Sequence, residues 1–107
     1  MVADSSNNAF VCNLGVMNQD ERARYTALSR KLMSASEERR ELDNGYAFRL
    51  GSQKISLTEI AAWITFERRC CPFFKLQLEA EPNDGPIWLR MTGARGIKQF
   101  IRSEIGA

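Results

Sequence analysis

At 107 residues, 44% of them apolar, the chain has the size and side chains for one hydrophobic core and too little of either for two. Charged residues make up 26% and nearly cancel to a net +2, a balance that gives no reason to expect a nucleic acid partner. Histidine is absent, which excludes Cys-His and Ser-His catalysis within one chain and removes the commonest imidazole metal ligand.

Residues 1–8 are small and polar and read as a disordered leader, so that residues 9–107 form the single domain. The leader lacks the basic start and apolar stretch of a secretory signal, and no apolar run approaches the roughly 20 residues of a membrane span. The expectation is a cytoplasmic protein with no membrane partner, in which three cysteines stay reduced.

In chain order, Phe10, Cys12, Leu14 and Val16 alternate with Val11, Asn13 and Gly15, the period of a strand with one buried face. Asn18 followed by Glu21 is a capping box, which predicts a helix to about Ala35 with Tyr25, Leu28, Leu32 and Ala35 as its apolar stripe. The charged run from Glu37 to Glu41 reads as the solvated end of that helix. Asp43-Asn44-Gly45 is a turn, and a strand follows with Tyr46, Phe48 and Leu50 on one face.

Ser56 with Glu59 is a second capping box, and Ile55 before it can staple onto Ile60. The spacing puts Ile60, Trp63, Ile64, Glu67 and Cys71 on one helical face, with Phe66 and Cys70 flanking, and Pro72 stops the helix at Cys71. Phe74, Leu76, Leu78 and Ala80 alternate as a strand, Pro82-Asn83-Asp84-Gly85 makes a hairpin loop, and Ile87, Leu89 and Met91 face the core on the return. A last helix buries Ile97, Phe100, Ile101 and Ile105. The predicted order is βαβαββα, an α+β two-layer sandwich with one four-stranded sheet and helices on one face. The other sheet face would carry Phe73 and Trp88 beside Arg49 and Lys75, a partly aromatic surface suited to a homodimer.

Chemistry concentrates at Glu67-Arg68-Arg69-Cys70-Cys71-Pro72. The cysteines sit at a helix C-terminus, where the dipole raises a thiol pKa, the reverse of the N-terminal position used by Cys-x-x-Cys redox motifs. Two neighbouring thiols suit a soft metal ion, with Cys12 as a third ligand if the first segment lies beside this helix end and Glu67 as an oxygen ligand or proton acceptor. The candidate thiol or metal site is therefore Cys12, Glu67, Cys70 and Cys71, with Cys70 the thiol expected to be reachable. The alternative is that these cysteines are core filler, since free cysteine packs as a small apolar side chain. Glu67 needs a partner on so apolar a face, and Arg90, Trp63 and Tyr46 are candidates. Gly93, Arg95 and Gly96 precede the last helix and offer a possible anion site, although their spacing matches no glycine-rich phosphate loop and a plain turn explains them.

The run Glu67-Arg68-Arg69-Cys70-Cys71-Pro72-Phe73-Phe74, with Leu76-Gln77-Leu78 and the stretch from Pro86 to Gly93, resembles a family of small bacterial proteins. That family shares E-R-x-C-C-P-F, an apolar hairpin and a T-G-x-x-G turn into a final helix. Val11-Cys12-Asn13-Leu14 and Gly45-Tyr46-Ala47-Phe48-Arg49 extend the likeness over nearly all the chain after the leader. The resemblance implies the domain as a unit and implies no activity. Two functional readings stand: a thiol-centred protein that binds a soft metal or responds to oxidants and electrophiles, and a non-enzymatic dimeric binding module with structural cysteines. An enzyme with Glu67 as base has no identifiable second catalytic group.

Overall fold

Two capping boxes fix where the long helices begin. In the computed structural model, which describes residues 10–105, α1 spans Gln19–Ala35. The Asn18 side chain accepts from the Glu21 amide at 2.8 Å, and the Glu21 carboxylate accepts from the Asn18 amide at 2.9 Å. Helix α2 spans Leu57–Cys70 behind the matching Ser56–Glu59 box, with Ile55 and Ile60 buried on either side of the cap. Pro72 forbids helical continuation, so Cys71 caps α2 with a non-helical backbone. Helix α3 spans Ile97–Ile105.

The sheet has four strands: β1 Ser36–Leu42, β2 Gly45–Leu50, β3 Lys75–Ala80 and β4 Ile87–Thr92. Their spatial order is β1-β2-β4-β3 and every pairing is antiparallel. Tyr46, Phe48 and Leu50 of β2 and Ile87, Leu89 and Met91 of β4 face a core completed by Leu28, Leu32 and Ala35 of α1, Ile60 and Trp63 of α2, and Ile97 and Ile101 of α3. The expected α+β layering, with a four-stranded sheet under three helices, is therefore present. Among the described residues no helix is long and apolar enough to cross a membrane. The leader expected over residues 1–8 lies outside the described residues.

Two elements differ from expectation, and they exchange places. The segment from Phe10 to Val16 is not a strand. The Asn13 side chain accepts from the Gly15 amide at 3.0 Å and caps a short 3-10 turn, Leu14–Val16, leaving Val11, Leu14 and Val16 exposed. Local side-chain hydrogen bonding thus overrides an alternation that fits a strand. Conversely, the charged run from Glu37 to Glu41 is β1, an edge strand that forms a hairpin with β2 across Asp43 and Asn44. A charged edge blocks pairing with another chain, which gives this composition a role in a strand. The observed order is αββαββα.

The outward sheet face carries Trp88 and Arg49 as expected, each beside a charged neighbour. Arg40 lies over the Trp88 ring at 4.5 Å, and ion pairs join Arg49 to Glu37 and Arg90 to Glu79. Phe73 does not share this face: its ring meets those of Phe10 and Phe100 at 5.3 Å, on the helical side. The two residues expected to form one dimer surface are on opposite sides of the sheet.

Candidate thiol site

Three segments meet at the C-terminal end of α2. The backbone amide of Asn13 donates to the Cys70 carbonyl at 2.8 Å, and Arg69 donates to the Val16 carbonyl at 2.6 Å, so the 3-10 segment lies across the helix end. Arg69 also pairs with Glu21 at 3.0 Å, which ties the same segment to α1 and holds the Glu21 carboxyl below its usual range. Met17 is buried against Cys70 and Cys71 and closes the site from that side.

This placement brings all three cysteines together. Cys12 and Cys71 are joined by a disulfide, with Cα atoms 4.5 Å apart across 59 positions of sequence. The expectation of three reduced thiols is overturned for this pair, because the turn at Asn13 sets Cys12 directly over the helix end. Cys70 is free, and its sulfur lies 3.4 Å from that of Cys71. The ligating atoms of Glu67, Cys70 and Cys71 lie within 4.8 Å of one another. The expectation that Cys70 is the reachable thiol fails: Cys70 is 0% exposed and Cys71 1%, whereas Cys12 is half-buried.

Glu67 is 4% exposed, and none of its anticipated partners serves it. Arg90 pairs with Glu79 on the far sheet face, Trp63 donates to Ser29 at 3.0 Å, and the Tyr46 hydroxyl accepts from Arg102 at 2.7 Å. The partner is Tyr25, whose hydroxyl donates to Glu67 Oε1 at 2.6 Å. Burial raises the Glu67 carboxyl to about 6; the Tyr25 hydrogen bond pulls it down and the charge of Glu104 pushes it up. The Tyr25 phenol is raised well above its ordinary value by burial, then by its bond to Glu67 and that group's charge. Burial and the Glu67 charge raise the Cys70 thiol, with Tyr25 and Arg69 opposing only in part. As the helix C-terminus implies, Cys70 is a protonated thiol near neutrality rather than a free thiolate.

Tyr25 was legible only as part of an apolar stripe. Its signal is that a buried tyrosine hydroxyl needs an acceptor and Glu67 needs a donor, a complementarity that spans 42 positions. The Gly93, Arg95 and Gly96 turn is not assembled as an anion cradle. The Gly93 amide donates to the Asn44 carbonyl at 3.0 Å, and a side chain at Gly93 would crowd Ile97 and the Phe73 carbonyl. Gly96 takes a φ of 95° against the Phe10 ring, and Arg95 is exposed. These glycines serve close packing and a left-handed turn.

Chemically, the site has two sulfurs joined in a disulfide, a third in contact with the Cys71 sulfur, and a carboxylate that burial raises to about 6. No family profile, curated protein or solved structure matches the chain.

Proposed function

We propose that the chain is a redox-responsive, soft-metal-binding protein of the cytoplasm, which takes up the ion through Cys12, Cys70 and Cys71 with Glu67 when reduced. Oxidation of Cys12 and Cys71 to the disulfide abolishes the site. The observation that carries this reading is that every cysteine of the chain, from positions as far apart as 12 and 71, meets beside one buried carboxylate. Thiolates favour soft or borderline ions such as Cu(I) and zinc, and the ion itself drives deprotonation of thiols that burial keeps protonated. Glu67 is placed to accept one of the released protons or to give an oxygen ligand.

Disulfide formation removes two electrons and two protons from Cys12 and Cys71, and the acceptor is hydrogen peroxide, which leaves as two waters, an alkyl hydroperoxide, which leaves as an alcohol and a water, or a disulfide, which leaves as two thiols. Half-buried Cys12 is the sulfur through which an outside reagent enters.

The test is zinc titration of the phosphine-reduced protein against a chromophoric chelator. One equivalent bound by the reduced chain, none by the oxidised chain, and weakened binding in Cys70→Ser are expected. Failure of the reduced chain to compete for zinc, together with lower stability on reduction, would assign the bond a purely structural role.

A further inference from the structure

A pocket of about 540 Å³ lies between the three helices and the sheet. That volume falls within the roughly 300–1,000 Å³ usual for small-molecule sites. Its walls include the rings of Phe48, Trp63, Phe74 and Phe100, and Glu67 borders it beneath Tyr25.

The charge around this pocket runs against that of the whole chain. The protein carries a net +2, yet four carboxylates, Glu37, Glu38, Glu67 and Glu104, border the pocket against one guanidinium, Arg39. Glu37 is neutralised by Arg49 and Lys54, Glu38 by Arg40, and Arg39 lies 5.4 Å over the Tyr46 ring. Glu67 and Glu104 have no ion pair among the described residues. Tyr25 occupies Oε1 of Glu67, and among the described residues no donor meets Oε2. Among the described residues no fully buried side-chain oxygen is left without a partner, so Oε2 keeps some contact with open space, and the pocket is the space beside it. Glu67 and Glu104 both line this pocket, so a cation held in it faces two carboxylates that carry no ion pair among the described residues.

We infer that this pocket binds a lipophilic organic monocation, an ammonium or phosphonium centre carried on an aromatic or alkyl body. The apolar body fills the aromatic walls. The cationic centre lies between Glu67 and Glu104 and gains further from the ring faces of Trp63 and Phe100. This inference is independent of metal uptake, since it concerns the disulfide form as it stands.

Tetraphenylphosphonium and tetraphenylborate have nearly the same size and shape and opposite charge. Calorimetric titration of the metal-free, oxidised full chain with each separates charge recognition from simple apolar capture. One phosphonium per chain is expected, with the borate at least about tenfold weaker. Glu67→Gln is expected to weaken the phosphonium by about tenfold, and Glu104→Gln, at an exposed position that folding does not need, by roughly threefold. Equal affinity for both ions, no phosphonium binding, or affinity unchanged in both variants would overturn the inference. So would sedimentation showing a dimer whose formation and phosphonium binding exclude one another, which would give the pocket to a second copy.

Discussion

On the outward face of the sheet, Arg90 meets Glu79 at 3.0 Å and Arg40 covers the Trp88 ring, whereas on the helical side Glu67 has only a tyrosine hydroxyl for company. The first region matches each charge locally and stays in water, where such pairs contribute little and cost little. The second buries a carboxylate, a free thiol and the Cys71 half of a disulfide, with the Tyr25 hydroxyl as the carboxylate's hydrogen-bond donor among the described residues. Glu67, hydrogen-bonded through one oxygen to Tyr25 and raised by burial, lies beside all three cysteines.

The contrast breaks most sharply at the disulfide. Closing a loop of 59 positions constrains the unfolded chain by about 4 kcal/mol in the chain-entropy treatment. Cys12→Ser, or reduction of the wild type, is therefore expected to lower the free energy of urea unfolding by about 2–4 kcal/mol. A loss below about 1 kcal/mol would mean that the bond scarcely constrains the chain.

A smaller effect is expected from Glu67. Its carboxyl titrates at about 6 in the folded metal-free protein against 4.5 ordinarily, so the folded state binds the proton more tightly. The corresponding stability is fully present below about 4.5 and is lost as pH rises through about 6, a fall on the order of 2 kcal/mol. Unfolding measured between these limits is expected to show that slope in the wild type and to lose it in Glu67→Gln. A wild-type slope of opposite sign would refute the burial argument.

The smallest change belongs to the outward face. Arg90→Ala breaks an exposed ion pair and is expected to cost under about 1 kcal/mol, less still at high salt. A larger loss, read from the same unfolding curves, would show that this face is not the solvated surface its pairing implies.

What the sequence disclosed follows from the range of each interaction. The Asn18 and Ser56 capping boxes and the stop at Pro72 are local, and each lies where the residues indicate. The Glu37 to Glu41 strand was hidden because an edge strand needs no apolar face. The signal was one step away: Asn44-Gly45 ahead of a strand demands a hairpin partner upstream. At the site, Glu67, Cys70 and Cys71 shared a helix end from the start. Their meeting with Cys12 and Tyr25 depended on where a non-repetitive segment crosses that end, which no periodicity records.

We propose that three sulfurs serve one ion. X-ray absorption at the zinc edge of the reduced, zinc-loaded protein tests it most directly. Three sulfur neighbours at about 2.3 Å with one oxygen or nitrogen neighbour at about 2.0–2.2 Å is the predicted shell. A shell with one sulfur or none, filled by oxygen and nitrogen, would contradict it.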